Sequence, residues 1–188
     1  MPLFAAASGT SSFGFQPTDH NMVGWTFDPE ECQGGTLLAS AAGTLNLIKF
    51  RAAGSTITNA LMHFTAGGAT LTGTYAALFT AGGALLAGST SADQSTSWQS
   101  GGSKTITFGT PQSVTPGSLY YYGFFIATAV TMPTITRALN SSTAITNIGL
   151  SAPNFRYATT ADTALTATMP NNFGAQTGTA TAFWVGFS

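Results

Sequence analysis

Leu119-Tyr120-Tyr121-Tyr122-Gly123-Phe124-Phe125-Ile126-Ala127-Thr128 is the most strongly β-forming stretch of the chain. Aromatic and β-branched residues suit a pleated strand, in which successive side chains point to opposite faces. Tyr120, Tyr122, Phe124 and Ile126 therefore share one face; Leu119, Tyr121, Gly123, Phe125 and Ala127 share the other. Large residues on both faces predict a central strand, buried on both sides. The cover comes from the domain itself or, in part, from another subunit.

The segments around it read the same way. Thr115-Pro116-Gly117-Ser118 is a strong turn, and residues 104–108 before it form a strand with Ile106 and Phe108 on one face. Residues 74–79 and 84–87 make a hairpin joined by Thr80-Ala81-Gly82-Gly83, whose glycines supply the positive φ of a tight turn. Residues 44–51 are a strand with Ile48 and Phe50 inward and Lys49 and Arg51 outward; residues 57–64 are the next. Residues 132–168 are weakly patterned and predict long loops with short edge strands. Residues 181–187 alternate again, with Phe183, Val185 and Phe187 opposite Ala182, Trp184 and Gly186. Helical periodicity is absent over any useful length. The fold class expected is all-β, an antiparallel β-sandwich of jelly-roll type over residues 22–188.

Residues 1–21 precede it as a short extended arm, rich in Ser, Gly and Thr and punctuated by Phe4, Phe13 and Phe15. Three large apolar rings are costly to leave in water. The arm is therefore expected to dock, on its own domain or on a neighbour.

Charged residues make up 6% of the chain, against roughly a quarter in an ordinary soluble domain. Small hydroxylated residues, Gly and Ala replace them, and aromatics stay at 12%. Such a surface suits packing against copies of itself or against a larger particle. Net charge is −1, and Lys49, Arg51, Lys104, Arg137 and Arg156 are scattered along the sequence, so nucleic acid is not an expected partner. The first seven residues carry no basic n-region, and no stretch reaches the ~18 unbroken apolar residues of a spanning helix. No membrane partner is expected.

Little here supports catalysis. His20 and His63 lie far apart, no Gly-x-Ser-x-Gly elbow occurs, and no catalytic residue is assigned. Asp28-Pro29-Glu30-Glu31-Cys32 is the only acidic cluster; it lacks the spacing of a calcium loop and reads as a solvated turn, so no metal or cofactor is expected. Cys32 is read as a small apolar residue rather than a reactive thiol. Trp98 lies in a polar stretch, Asp93-Gln94-Ser95-Thr96-Ser97-Trp98-Gln99. Either it covers one end of the core, or it is a platform for a sugar ring, with Asp93, Gln94 and Gln99 bonding to the hydroxyls.

Several segments, taken in order, resemble a known group. They are Val23-Gly24-Trp25-Thr26, Ile57-Thr58-Asn59, Leu71-Thr72-Gly73, the run from Tyr75 to Ala87, the run from Ala92 to Trp98, and Tyr120-Tyr121-Tyr122-Gly123. Together they are similar to the β-sandwich modules of tailed phages that infect actinobacteria, found in minor tail proteins and small virion surface proteins. The resemblance implies a non-enzymatic virion component, commonly trimeric and displayed at the virion surface. With only a short arm before the sandwich, the expected form is a capsid decoration protein. It would bind the major capsid protein or tail proteins through Phe4, Phe13 and Phe15. The alternative is a small head or tail appendage that binds host cell-surface carbohydrate at Trp98, Asp93, Gln94 and Gln99.

Overall fold

The computed structural model describes residues 15–38, 40–138 and 146–188, which form eleven strands. The first six are β1 (Gly24–Trp25), β2 (Cys32–Leu37), β3 (Asn46–Arg51), β4 (Thr56–Ala66), β5 (Thr72–Thr80) and β6 (Gly102–Ser113). They are followed by β7 (Leu119–Thr128), β8 (Thr134–Ala138), β9 (Tyr157–Thr160), β10 (Gln176–Gly178) and β11 (Val185–Phe187). Two antiparallel sheets pack face to face. One has the order β10-β9-β3-β7-β5. In the other, the long β4 pairs with β6 on one side and with β11 and β8 on the other; β1 and β2 lie beyond those two.

The aromatic run forms one strand over its full length, as its alternation predicts, flanked by β3 and β5. Its Tyr122, Phe124 and Ile126 face the opposing sheet. There they join Ile48, Phe50, Met62, Phe64, Ile106, Phe108 and Phe187 in the main core. Phe50 and Phe187 stack at a centroid distance of 3.8 Å and tie β3 to β11 across the sandwich. Tyr121 and Phe125 enter a second cluster on the outer face with Leu45, Leu47, Phe79 and Met169.

Cover for that outer face comes from the chain itself. Leu165, Met169 and Phe173 lie over it, and Phe173 meets the Phe79 and Tyr121 rings edge-on at 5.6 and 5.1 Å. Main-chain bonds pin this loop at Leu165 N to Gly43 O (3.0 Å) and Phe173 N to Gly83 O (3.1 Å). Gly123 makes the packing possible: a Cβ there would sit 2.6 Å from the Phe79 ring. β7 is thus buried on both faces without a second subunit.

The predicted hairpin is present, with Thr80 N bonded to Ala84 O and Leu86 N to Leu78 O. Its returning strand is irregular. After Leu86 the chain runs beside β5, the outer strand of its sheet, and bonds to it largely through side chains.

Candidate binding groove

The stretch proposed for sugar recognition is this edge cover. The Ser89 Oγ accepts from Leu78 N, the Ser91 Oγ from Ala76 N, and both the Asp93 Oδ1 and the Ser95 Oγ from Thr74 N, at 3.0–3.2 Å. Residues 74, 76 and 78 are the alternate positions of β5 whose N–H groups point away from β7. Polar side chains two apart therefore replace a missing neighbour strand. Desolvation acts to raise the Asp93 carboxyl, but bonds from Ser95, Thr74 and Gly73 outweigh it and hold it below the usual range. Gln94 donates to Ala92 O and Gln99 to Ser95 O, so both amides brace the same loop.

Trp98 offers no face to a sugar. It is 0% exposed, with its ring 4.9 Å from Phe64 and 5.6 Å from Phe124. A short 3-10 turn (Ser97–Gln99) carries it into the end of the core. That turn presses on Gly67, where a Cβ would lie 2.3 Å from the Gln99 carbonyl. The carbohydrate site expected on Trp98, Asp93, Gln94 and Gln99 is therefore corrected: the ring caps the core and the polar groups seal a sheet edge.

Of the arm residues, Phe4 and Phe13 lie outside the described residues. Phe15 is exposed and meets His20 edge-on at 5.5 Å; His20 lies 5.5 Å from the Trp25 ring. His63, on β4, bonds through Nδ1 to the Thr136 hydroxyl at 2.7 Å. Asp28 accepts from Glu30 N and caps the 3-10 turn Pro29–Glu31. Half-buried Cys32 follows it. Burial, reinforced by Asp28 and Glu31, pushes its thiol up to about 11.

A cavity of about 1020 Å³ opens elsewhere, where Trp25 and Phe27 lie near the ends of β3 and β7. Lys49, Arg51 and Arg156, three of the five cations, line it together. Strand pairing gathers them. Lys49 and Arg51 project from one face of β3, as their alternation predicts, and Lys49 N bonds to Arg156 O at 2.7 Å at the entry to β9. Buried Asn147 fixes that entry by accepting from Arg156 N (2.7 Å) and Tyr157 N (3.1 Å). The absent signal was long-range: nothing in the sequence says that β9 lies beside β3.

Main-chain oxygens meet all three cations. Lys49 Nζ donates to Asn154 O at 3.0 Å, Arg51 to Gly117 O and Arg156 to Thr26 O. Lys49 also sits 4.7 Å over the Tyr121 ring, and burial pushes its ammonium below the usual value. Exposed Leu119 and Leu150 and half-buried Trp25 supply apolar surface beside this charge.

No protein-family model, no curated protein and no solved structure matches this chain.

Proposed function

We propose that this chain is a non-enzymatic structural protein of a phage virion, a decoration protein that binds and stabilises the particle surface as a homotrimer. Its partners would be further copies of itself and the major capsid or tail proteins, and its place the virion surface. The finer topological class that goes with this reading is a jelly roll.

One observation carries the reading. The chain has eleven charged side chains in all, yet Phe15, Leu37, Val130 and Ile148 are 53–77% exposed. Apolar groups on so uncharged a surface favour burial against a partner, and a particle-bound trimer provides one. Phe15, at the start of the described chain, lies where the arm meets the sandwich. Three such arms per trimer would hold by avidity even if each contact were weak.

Light scattering across a concentration series tests the assembly, and co-sedimentation with particles tests the attachment. A mass near three times 19.2 kDa, with particle binding lost on deletion of residues 1–21, is the expected result. Full occupancy by the truncated protein would remove the arm as anchor. Failure of the intact chain to sediment with particles would remove the virion reading.

A further inference from the structure

Three cations share the groove and no carboxylate is among its described lining residues. Glu30 and Glu31 line the adjoining cavity on the far side of Arg156, which leaves Lys49 and Arg51 as the pair without an acid beside them. Like charges held together raise the free energy of the folded state unless opposite charge arrives from outside. The carbonyl partners do not supply it. Each carbonyl satisfies one N–H, whereas a guanidinium has five donors and an ammonium three. Arg156 has Tyr157 beside it as a further partner, its guanidinium 5.3 Å from that ring, and Arg51 has the more donors to spare. Half-buried Lys49 has exchanged part of its hydration for a ring face and a carbonyl, with no carboxylate in return.

The rest of the lining narrows the ligand. Trp25, Leu119 and Leu150 give flat apolar surface beside the charges, and Ser151 and Asn154 give polar groups for hydroxyls. A simple inorganic anion would leave the apolar part unused. A neutral sugar would leave the cations unmatched. A saccharide bearing acidic groups fits both, because its ring faces are apolar, its edges hydroxylated, and its anions suit the arginine fork.

We propose that this groove binds an anionic oligosaccharide: Lys49, Arg51 and Arg156 take its acidic groups, and Trp25 and Leu119 take its ring faces. The inference does not rest on the virion reading, since the groove is built within one chain.

Calorimetric titration of the full chain with a galacturonate oligomer tests it, beside a neutral galactose oligomer of equal length and a glutamate peptide of equal charge. The uronate should bind at least about tenfold more tightly than either comparison, a difference of about 1.4 kcal/mol. Its affinity should fall as salt rises. Arg51→Gln and Arg156→Gln should each weaken it roughly tenfold, while Lys104→Gln, outside the groove, should leave it unchanged. If Arg156→Gln lowers the melting temperature through its lost bond to Thr26, exposed Arg51 carries the test. Absence of uronate binding, equal affinity for the neutral oligomer, or full affinity in Arg51→Gln would overturn the proposal. Equal affinity for the glutamate peptide would overturn it in favour of an acidic protein segment.

Discussion

The Ser91 hydroxyl accepts a hydrogen bond from the main-chain N–H of Ala76 at 3.1 Å, while Ser91 N donates to Ala76 O at 2.8 Å. This exchange makes a serine side chain stand in for the carbonyl of a neighbouring strand. Ser89 does the same for Leu78, accepting from its N–H and donating to its carbonyl, each at 3.1 Å. An edge strand with its polar groups already bonded is a poor template for pairing with another chain.

Ser91→Ala should therefore cost about 1–3 kcal/mol, because the buried Ala76 N–H loses its acceptor. Denaturant unfolding measures the loss, and hydrogen exchange locates it. Exchange at Ala76 should accelerate well beyond the change at Phe124, in the central strand. A uniform change across the sheet would show that Ser91 acts through global packing instead.

Trp98→Ala should destabilise the fold by about 3–5 kcal/mol, the usual cost of removing a large aromatic side chain from a core. Trp98→Phe should cost less. The phenyl ring keeps contacts with Phe64 and Phe124, and the change removes a buried indole N–H that has no acceptor among the described residues. Thermal melts of the two variants give the comparison. An unchanged melting temperature in Trp98→Ala would contradict the core role.

β7 and the outward pair Lys49 and Arg51 are legible because period-two alternation is local. The cover over Tyr121 and Phe125 is not. Leu165, Met169 and Phe173 are irregularly spaced in a loop, and only tertiary contact reveals their common face. The polar stretch Asp93–Gln99 left a sugar site and a core cap both open for a related reason. Asp93 and Ser95 continue a two-residue repeat from Ser89 and Ser91 that matches the N–H groups of β5, but a polar stretch around a tryptophan suits a sugar site equally until the position of β5 is known. Arg156 shows the limit most plainly, since it joins Lys49 only through the pairing of β9 with β3.

Cys32 should be slow to alkylate. With its thiol moved from 9.0 to about 11, the thiolate fraction at neutral pH falls roughly a hundredfold. Iodoacetamide labelling of the folded protein should therefore lag far behind labelling in denaturant. Asp28→Asn should recover only part of the difference, because burial is the larger cause and the charges of Asp28 and Glu31 come after it. Equal rates in the two states would show an accessible, reactive thiol.

Alkali should ionise the core tyrosines only as it unfolds the protein. Burial raises the phenols of Tyr121, Tyr122 and Tyr157, the last from 10.0 to about 12 despite opposing bonds and the nearby Arg156 charge. Below pH 10 these groups are neutral in both states, and their contribution to stability is fully present. Above pH 10 the unfolded chain releases protons that the folded chain keeps, so stability falls as pH rises towards 12. A tenfold difference in proton affinity is worth about 1.4 kcal/mol, so Tyr157 alone withdraws on the order of 2–3 kcal/mol across that window. Circular dichroism followed alongside tyrosinate absorbance should show loss of structure and phenol ionisation rising together. Tyr157→Phe should flatten the alkaline limb, while the change near neutral pH reports the loss of its bonds to Thr26 and Arg156. Full tyrosinate absorbance from a still-folded protein would mean that the sheet holding β7 and β9 admits water to its buried tyrosines.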